Sequence, residues 1–133
     1  MDPDLELQGA IVQLLKADAG VAALVADRVY DNVPKAPVFP YITFGSVDTG
    51  TDDAECITGF EIFVQLDVWL REIGFPECKR INNAVRKALH DADITLSTNA
   101  LVFLEHRRTQ TLRDPDGLTS HGAMTFEASV ESP

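Results

Sequence analysis

The 133-residue chain is 45% hydrophobic and carries eleven Lys and Arg against twenty-one Asp and Glu, a formal charge of −10. That length is one domain's worth and buries roughly two thirds of the unfolded surface without staples, so residues 1–133 are read as a single domain. The acidic balance argues against a nucleic-acid binder, which needs a basic face, and against docking on anionic lipid.

The opening Met1-Asp2-Pro3-Asp4 is acidic where a secretory signal begins basic. No apolar run approaches the ~18 residues of a membrane span. Cys56 and Cys78 are expected to be free thiols in a bacterial-type cytoplasm.

Residues 5–25 read as a helix, because Leu7, Ile11, Leu14 and Leu15 form one apolar stripe. Asp4 is the expected cap, and Gly20 the expected break before a short second piece containing Val21, Leu24 and Val25. The stretch 32–41 holds Pro34, Pro37 and Pro40 and reads as a stiff, extended crossover to the sheet.

Residues 41–47 read as a first strand, and 48–56 as a polar loop bearing Asp48, Asp52, Asp53 and Glu55. The clearest strand is 58–70, where Phe60, Ile62, Val64, Leu66, Val68 and Leu70 alternate onto one face. At ~3.3 Å per residue it spans about 43 Å, which predicts that one end overhangs or bends. A second helix over 74–93 starts near Pro76 and turns Ile81, Val85 and Leu89 inward.

Two more strands, 100–112 and 118–130, flank Asp114-Pro115-Asp116-Gly117. That tetrad fits a type I turn followed by a left-handed glycine, which makes a three-residue hairpin loop. If 114 opposes 118, then Val102 meets Val130, His106 meets Phe126, Arg108 meets Met124, and Glu105 opposes Glu127. The hairpin is apolar at its base and polar on both faces at its tip, so it is expected to project from the domain. The element order predicts an α+β fold, a mainly antiparallel four-stranded sheet packed by two main helices with an extended C-terminal β-hairpin.

The acidic segments do not read as chemistry. Setting Asp114, Asp116 and Gly117 at positions 3, 5 and 6 of a calcium loop puts Leu112 at position 1 and Ala123 at position 12, so the match fails. The histidines His90, His106 and His121 fall in no metal-ligand spacing, and the predicted register puts His106 and His121 on opposite faces. No phosphate-cradling or nucleophile-elbow motif occurs. No catalytic residue, cofactor or metal is assigned, and the chain is read as not an enzyme. A Cys–His nucleophile from Cys56 or Cys78 stays open as a less favoured reading.

Five segments in order carry a resemblance: 7–34, PYITFGSVD at 40–48, VWLRE at 68–72, KRINNAVRKALHDADITL at 79–96, and RTQTLRDPDGLTSHGAMTFEA at 108–128. Together they resemble the small tail-completion, or tail-terminator, proteins of long-tailed bacteriophages, which also occur in prophages and gene transfer agents. The resemblance implies a structural virion protein. Six copies would ring the head-proximal end of a tail tube, stop its growth, and offer a surface to the neck. The implied partners are further copies of itself, the tail tube protein and a head-neck connector or stopper protein, with DNA passing through the lumen. Another neck or head-closure protein of the same particle is the alternative. Asp48, Asp52, Asp53, Glu55, Arg108, Arg113, Asp114, Asp116, Gly117 and His121 are the expected subunit or partner contacts.

Overall fold

The computed structural model describes residues 1–72 and 74–133. The first helix, α1 (Pro3–Ala17), is capped by Asp2, whose side chain accepts from the Asp4 and Leu5 amides. The cap is thus Asp2 rather than Asp4, because Pro3 takes the first helical position. The break falls at Asp18 rather than Gly20. Asp18 adopts extended backbone, closes α1, and caps α2 (Ala19–Val25) through the Val21 amide. The two helices meet at 79°. A capping aspartate ends the first helix where a glycine was expected to, and Gly20 lies inside α2.

Among the described residues the sheet has five strands, one more than the sequence suggested, in the order β1-β2-β3-β5-β4. The extra one is β1 (Val29–Tyr30), two residues that pair in parallel with Ile42 and Thr43. All other pairings are antiparallel, between β2 (Tyr41–Thr51), β3 (Thr58–Leu70), β4 (Ala100–Arg113) and β5 (Ser120–Ser132).

Two expectations about strand length are corrected. The segment 48–51 continues β2 instead of looping, because Asp48 to Thr51 pair with Phe63 to Phe60. Only 52–57 turns, closed by the Ala54–Ile57 bridge around Glu55 and Cys56. The long β3 neither overhangs nor bends away, since β5 pairs with it from Leu70↔Ser120 to Thr58↔Ser132. For the same reason the C-terminal hairpin does not project as a free arm. Its returning strand, β5, lies inside the sheet between β3 and β4.

One face of the sheet is covered. Ile62, Leu66 and Val68 of β3 and Met124, Phe126 and Val130 of β5 meet Leu7, Ile11 and Leu15 of α1 and Ile81, Val85 and Leu89 of α3 (Pro76–Leu89) in one core. Period-2 alternation on the strands and a helical stripe on each helix turn these residues to the same layer. Burial of side chains this large is the main force holding the layers together. The α1–α2 pair lies toward the β1 side, and α3 toward β4.

Candidate assembly surfaces

Most of the predicted contact residues fall at two separate ends of the sheet, with Asp48, level with Phe63, and Arg108, level with Thr125 and Gln65, between them. Thr51 is level with Phe60, Val130 and Leu101, at the end that carries the 52–57 turn. Arg113 is level with Ser120 and Leu70, at the other end. A thirteen-residue strand separates them by about 40 Å. The structure therefore does not bring Asp48, Asp52, Asp53 and Glu55 together with Arg113, Asp114, Asp116, Gly117 and His121.

At the first end, Asp48, Asp52, Asp53 and Glu55 are all exposed. Asp53 also builds the turn, because its carboxylate accepts from the Gly59 amide at 3.1 Å. Gly59 lies so close to the Asp52 carbonyl that any side chain there would strike it.

At the second end, the turn is real but one residue longer than expected. The Gly117 amide donates to the Asp114 carbonyl at 2.9 Å, as in a type I turn, and Gly117 has φ 71. The Asp114 amide then donates to Thr119 rather than Leu118, so 114 opposes 119. The side chain that secures the loop is Asp116. It accepts from the Leu118 and Thr119 amides and the Thr119 hydroxyl at 2.8–2.9 Å. Those bonds, the Leu118 amide first, hold its carboxyl below the usual carboxylate range. Arg113 lies 4.8 Å above the Phe75 ring.

The hairpin register agrees with the expected one from Phe103 to His106, including Glu105 opposite Glu127. It shifts by one at Arg107, so Arg108 opposes Thr125 instead of Met124. It also shifts between Leu101 and Phe103, so Val130 faces Leu101 instead of Val102. A bulge at each place adds a residue to β4.

His121 stands inside the sheet, between β3 and β4, rather than on a projecting arm. On the helix-free face its ring stacks on Trp69, centroids 3.9 Å apart and 12° from parallel. Its Nε2 lies 2.6 Å from the Asp67 carboxylate, which also accepts from Gln65 at 3.0 Å. The Trp69 indole N–H donates to the Thr43 hydroxyl at 2.9 Å. Three strands thus contribute to one polar–aromatic cluster, with Asp67 buried at 5% exposure. A side chain at Gly45 would press on the Asp67 carboxylate at 2.7 Å. The sequence signal was an Asp and a Trp two apart on the strand face that also carries Glu61, Phe63 and Gln65. Their partner lies 52 residues beyond Trp69, where no spacing rule reaches.

His106 lies on the opposite face, edge-on to Phe126. Burial first, and then the Arg86 cation, push it toward the neutral form. Cys78 is buried on α3, and burial pushes its thiol up, away from the thiolate a nucleophile needs. Cys56 is exposed in the 52–57 turn, at the far end from His121. Among the described residues, no group of three or more His, Cys, Asp and Glu is placed to hold a metal ion.

No curated protein sequence matches the chain significantly. Among solved structures, a chain from the virion of a native gene transfer agent particle is similar over 99% of this chain and 100% of its own, at 32% identity and a TM-score of 0.90. The model of the family described as tail completion protein gp17 matches residues 9–131. The chain therefore belongs to the tail completion protein gp17 family.

Proposed function

We propose that the protein is a structural virion component that ends a phage-like tail tube. Six copies form a ring on the last ring of tube protein, stop its polymerisation, and present the surface to which the neck of the filled head joins. The observation that carries this reading is the near-complete structural match to a chain of a gene transfer agent virion, together with membership of a tail completion family. The whole chain acts as one domain, with no catalytic step. The exposed carboxylates of Asp48, Asp52, Asp53 and Glu55 and the turn end of the β4–β5 hairpin are its contact surfaces toward neighbouring copies, tube or neck.

An acidic ring suits a conduit for DNA. With a net charge of −10 per copy, the lumen repels phosphate and does not grip the passing duplex. A lumen lined mainly by Lys and Arg would contradict this.

The test is to polymerise the tail tube protein with and without this chain. Tubes should stop growing and carry a six-copy ring at one end, visible in averaged electron micrographs. Unrestricted growth, with binding to the head connector instead, would reassign the protein to the neck.

A further inference from the structure

We infer that neighbouring copies join edge to edge, the outer half of β4 in one copy pairing with the open edge of β2 in the next. This inference rests on the ring reading and names the surfaces that build it.

Both edges are open only in part. β1 covers β2 at Ile42 and Thr43, and no other described strand lies beside β2 from Phe44 to Thr51. On β4, the segment after α3 covers the base. The Asp91 amide donates to the Leu104 carbonyl at 2.8 Å, and the His106 amide donates to the His90 ring at 3.0 Å. Beyond the bulge, Arg107 to Arg113 has no such cover among the described residues. Long uncovered edges with unpaired backbone groups are templates for another strand.

The two open stretches carry opposite charge. The open β2 stretch holds Asp48, the turn that follows it holds Asp52, Asp53 and Glu55, and no Lys or Arg occurs from Phe44 to Ile57. Asp4 of α1 reaches the same edge, accepting from the Thr49 hydroxyl at 3.0 Å. The β4 half, 106–113, holds Arg107, Arg108 and Arg113 and no acid. Beside it, α3 adds Lys79, Arg80, Arg86 and Lys87, which brings seven of the eleven Lys and Arg to this side of the molecule. A chain at −10 repels its copies in general, and this polarity is what makes one specific contact attractive.

Strand direction and offset also agree. Along β2-β3-β5-β4 each strand reverses the last, so β4 and the β2 of a copy turned by simple rotation run antiparallel. Such head-to-tail contacts close into a ring when the rotation between copies divides a full turn. Four strands about 4.8 Å apart, tilted by about 35–45° as in barrels, stagger successive copies by about 13–19 Å, or roughly four to six residues. Gln110, the middle of the open β4 stretch, is level with Ala123, Asp67 and Thr43. The middle of 44–51 lies four to five residues further along β2.

The test uses charge reversal on the full chain. Arg108→Glu with Arg113→Glu makes the β4 edge acidic, and Asp48→Lys with Asp52→Lys makes the β2 edge basic. Arg107 is left alone because it holds two glutamates within the fold. Each edge variant should lower the ring population about tenfold in native mass spectrometry of the chain alone and on tail tubes. Circular dichroism should show both folded. Combining all four substitutions in one chain, or mixing the two edge variants, should restore rings. Variants that ring as well as the wild type, or a loss that neither combination restores, would overturn the edge pairing and leave the ring reading standing. A wild-type chain that stays monomeric both free and on tubes would overturn the ring reading, and the pairing with it.

Discussion

Glu105 and Glu127 face each other directly across β4 and β5, and the Arg107 guanidinium bonds to both, at 2.9 Å and 2.7 Å. Like charges in opposed positions are unfavourable. The bulge at Arg107 inserts a cation on the face where the two carboxylates meet. The glutamates in turn favour the charged guanidinium, Glu127 most. All three side chains contact solvent, so the interaction is screened and modest. Arg107→Gln should lower the thermal midpoint at neutral pH, and added salt should narrow the difference. Introducing Glu127→Gln into Arg107→Gln should recover part of the loss. Equal losses with and without Glu127 in a double-mutant cycle would show that the bridge contributes nothing.

Gly122 is a packing requirement. Asn82 on α3 is buried against it, and a Cβ at 122 would overlap the Asn82 side-chain oxygen, an atom with no hydrogen-bond partner among the described residues. Gly122→Ala should therefore cost about 1–3 kcal/mol by overpacking. Adding Asn82→Ala should return much of that by removing the obstacle. Urea unfolding of the two singles and the double measures the coupling. Additive losses would mean that the helix shifts instead of clashing.

These two relationships mark the limit of what the sequence discloses. The strand 58–70, the apolar faces of α1 and α3, the type I turn and the Glu105–Glu127 opposition were legible because each follows from periodicity or turn chemistry within a short window. The parallel β1 was not, since two residues carry no period. The bulge at Arg107 was not, because a one-residue register shift leaves the alternation on either side intact. The acidic 48–51 segment read as a loop for its composition, yet pairing with 60–63 overrode that weak preference. The Trp69–His121–Asp67 cluster needed two strands to be placed side by side before it could be seen at all.

That cluster supplies its own reporter. Trp69 is the chain's one tryptophan, and its indole lies flat on His121. The stacked ring shields one face of the indole from water, so His121→Gln should move the Trp69 emission to longer wavelength. The chain should stay folded, because glutamine still offers Asp67 a hydrogen-bond donor. An emission spectrum unchanged in His121→Gln would mean that the imidazole does not cover the indole in solution.

Gly117 holds φ 71 in the hairpin turn, and its missing Cβ would meet nothing within 4 Å. The cost of Gly117→Ala is thus conformational rather than steric, about 1 kcal/mol. Pro115→Ala should cost less, since it only loosens the unfolded chain. Because the turn end is proposed as a contact surface, the two substitutions together should also reduce ring assembly on tubes. Unchanged assembly with an intact fold would take the turn end out of the interface.

Glu6 ties the first helix to the segment before β4. Its carboxylate accepts from the Thr98 and Asn99 amides, the Ser97 hydroxyl and the Asn99 side chain, all at 2.7–3.1 Å. The Asn99 amide first, with the other donors, lowers its pKa from 4.5 to about 2. The unfolded chain therefore takes up a proton near pH 4.5 that the folded chain refuses until about pH 2. The stability this contributes is complete above pH 4.5 and disappears as the pH falls through 2. Glu6→Gln lacks the charge at every pH. The wild type should be the more stable at pH 6, and the gap in urea midpoints should close between pH 4.5 and 2. Other carboxylates titrate in the same range, so the difference between the two curves is the quantity to follow. A gap that stays constant from pH 5 to 2 would mean that Glu6 acts by shape rather than charge.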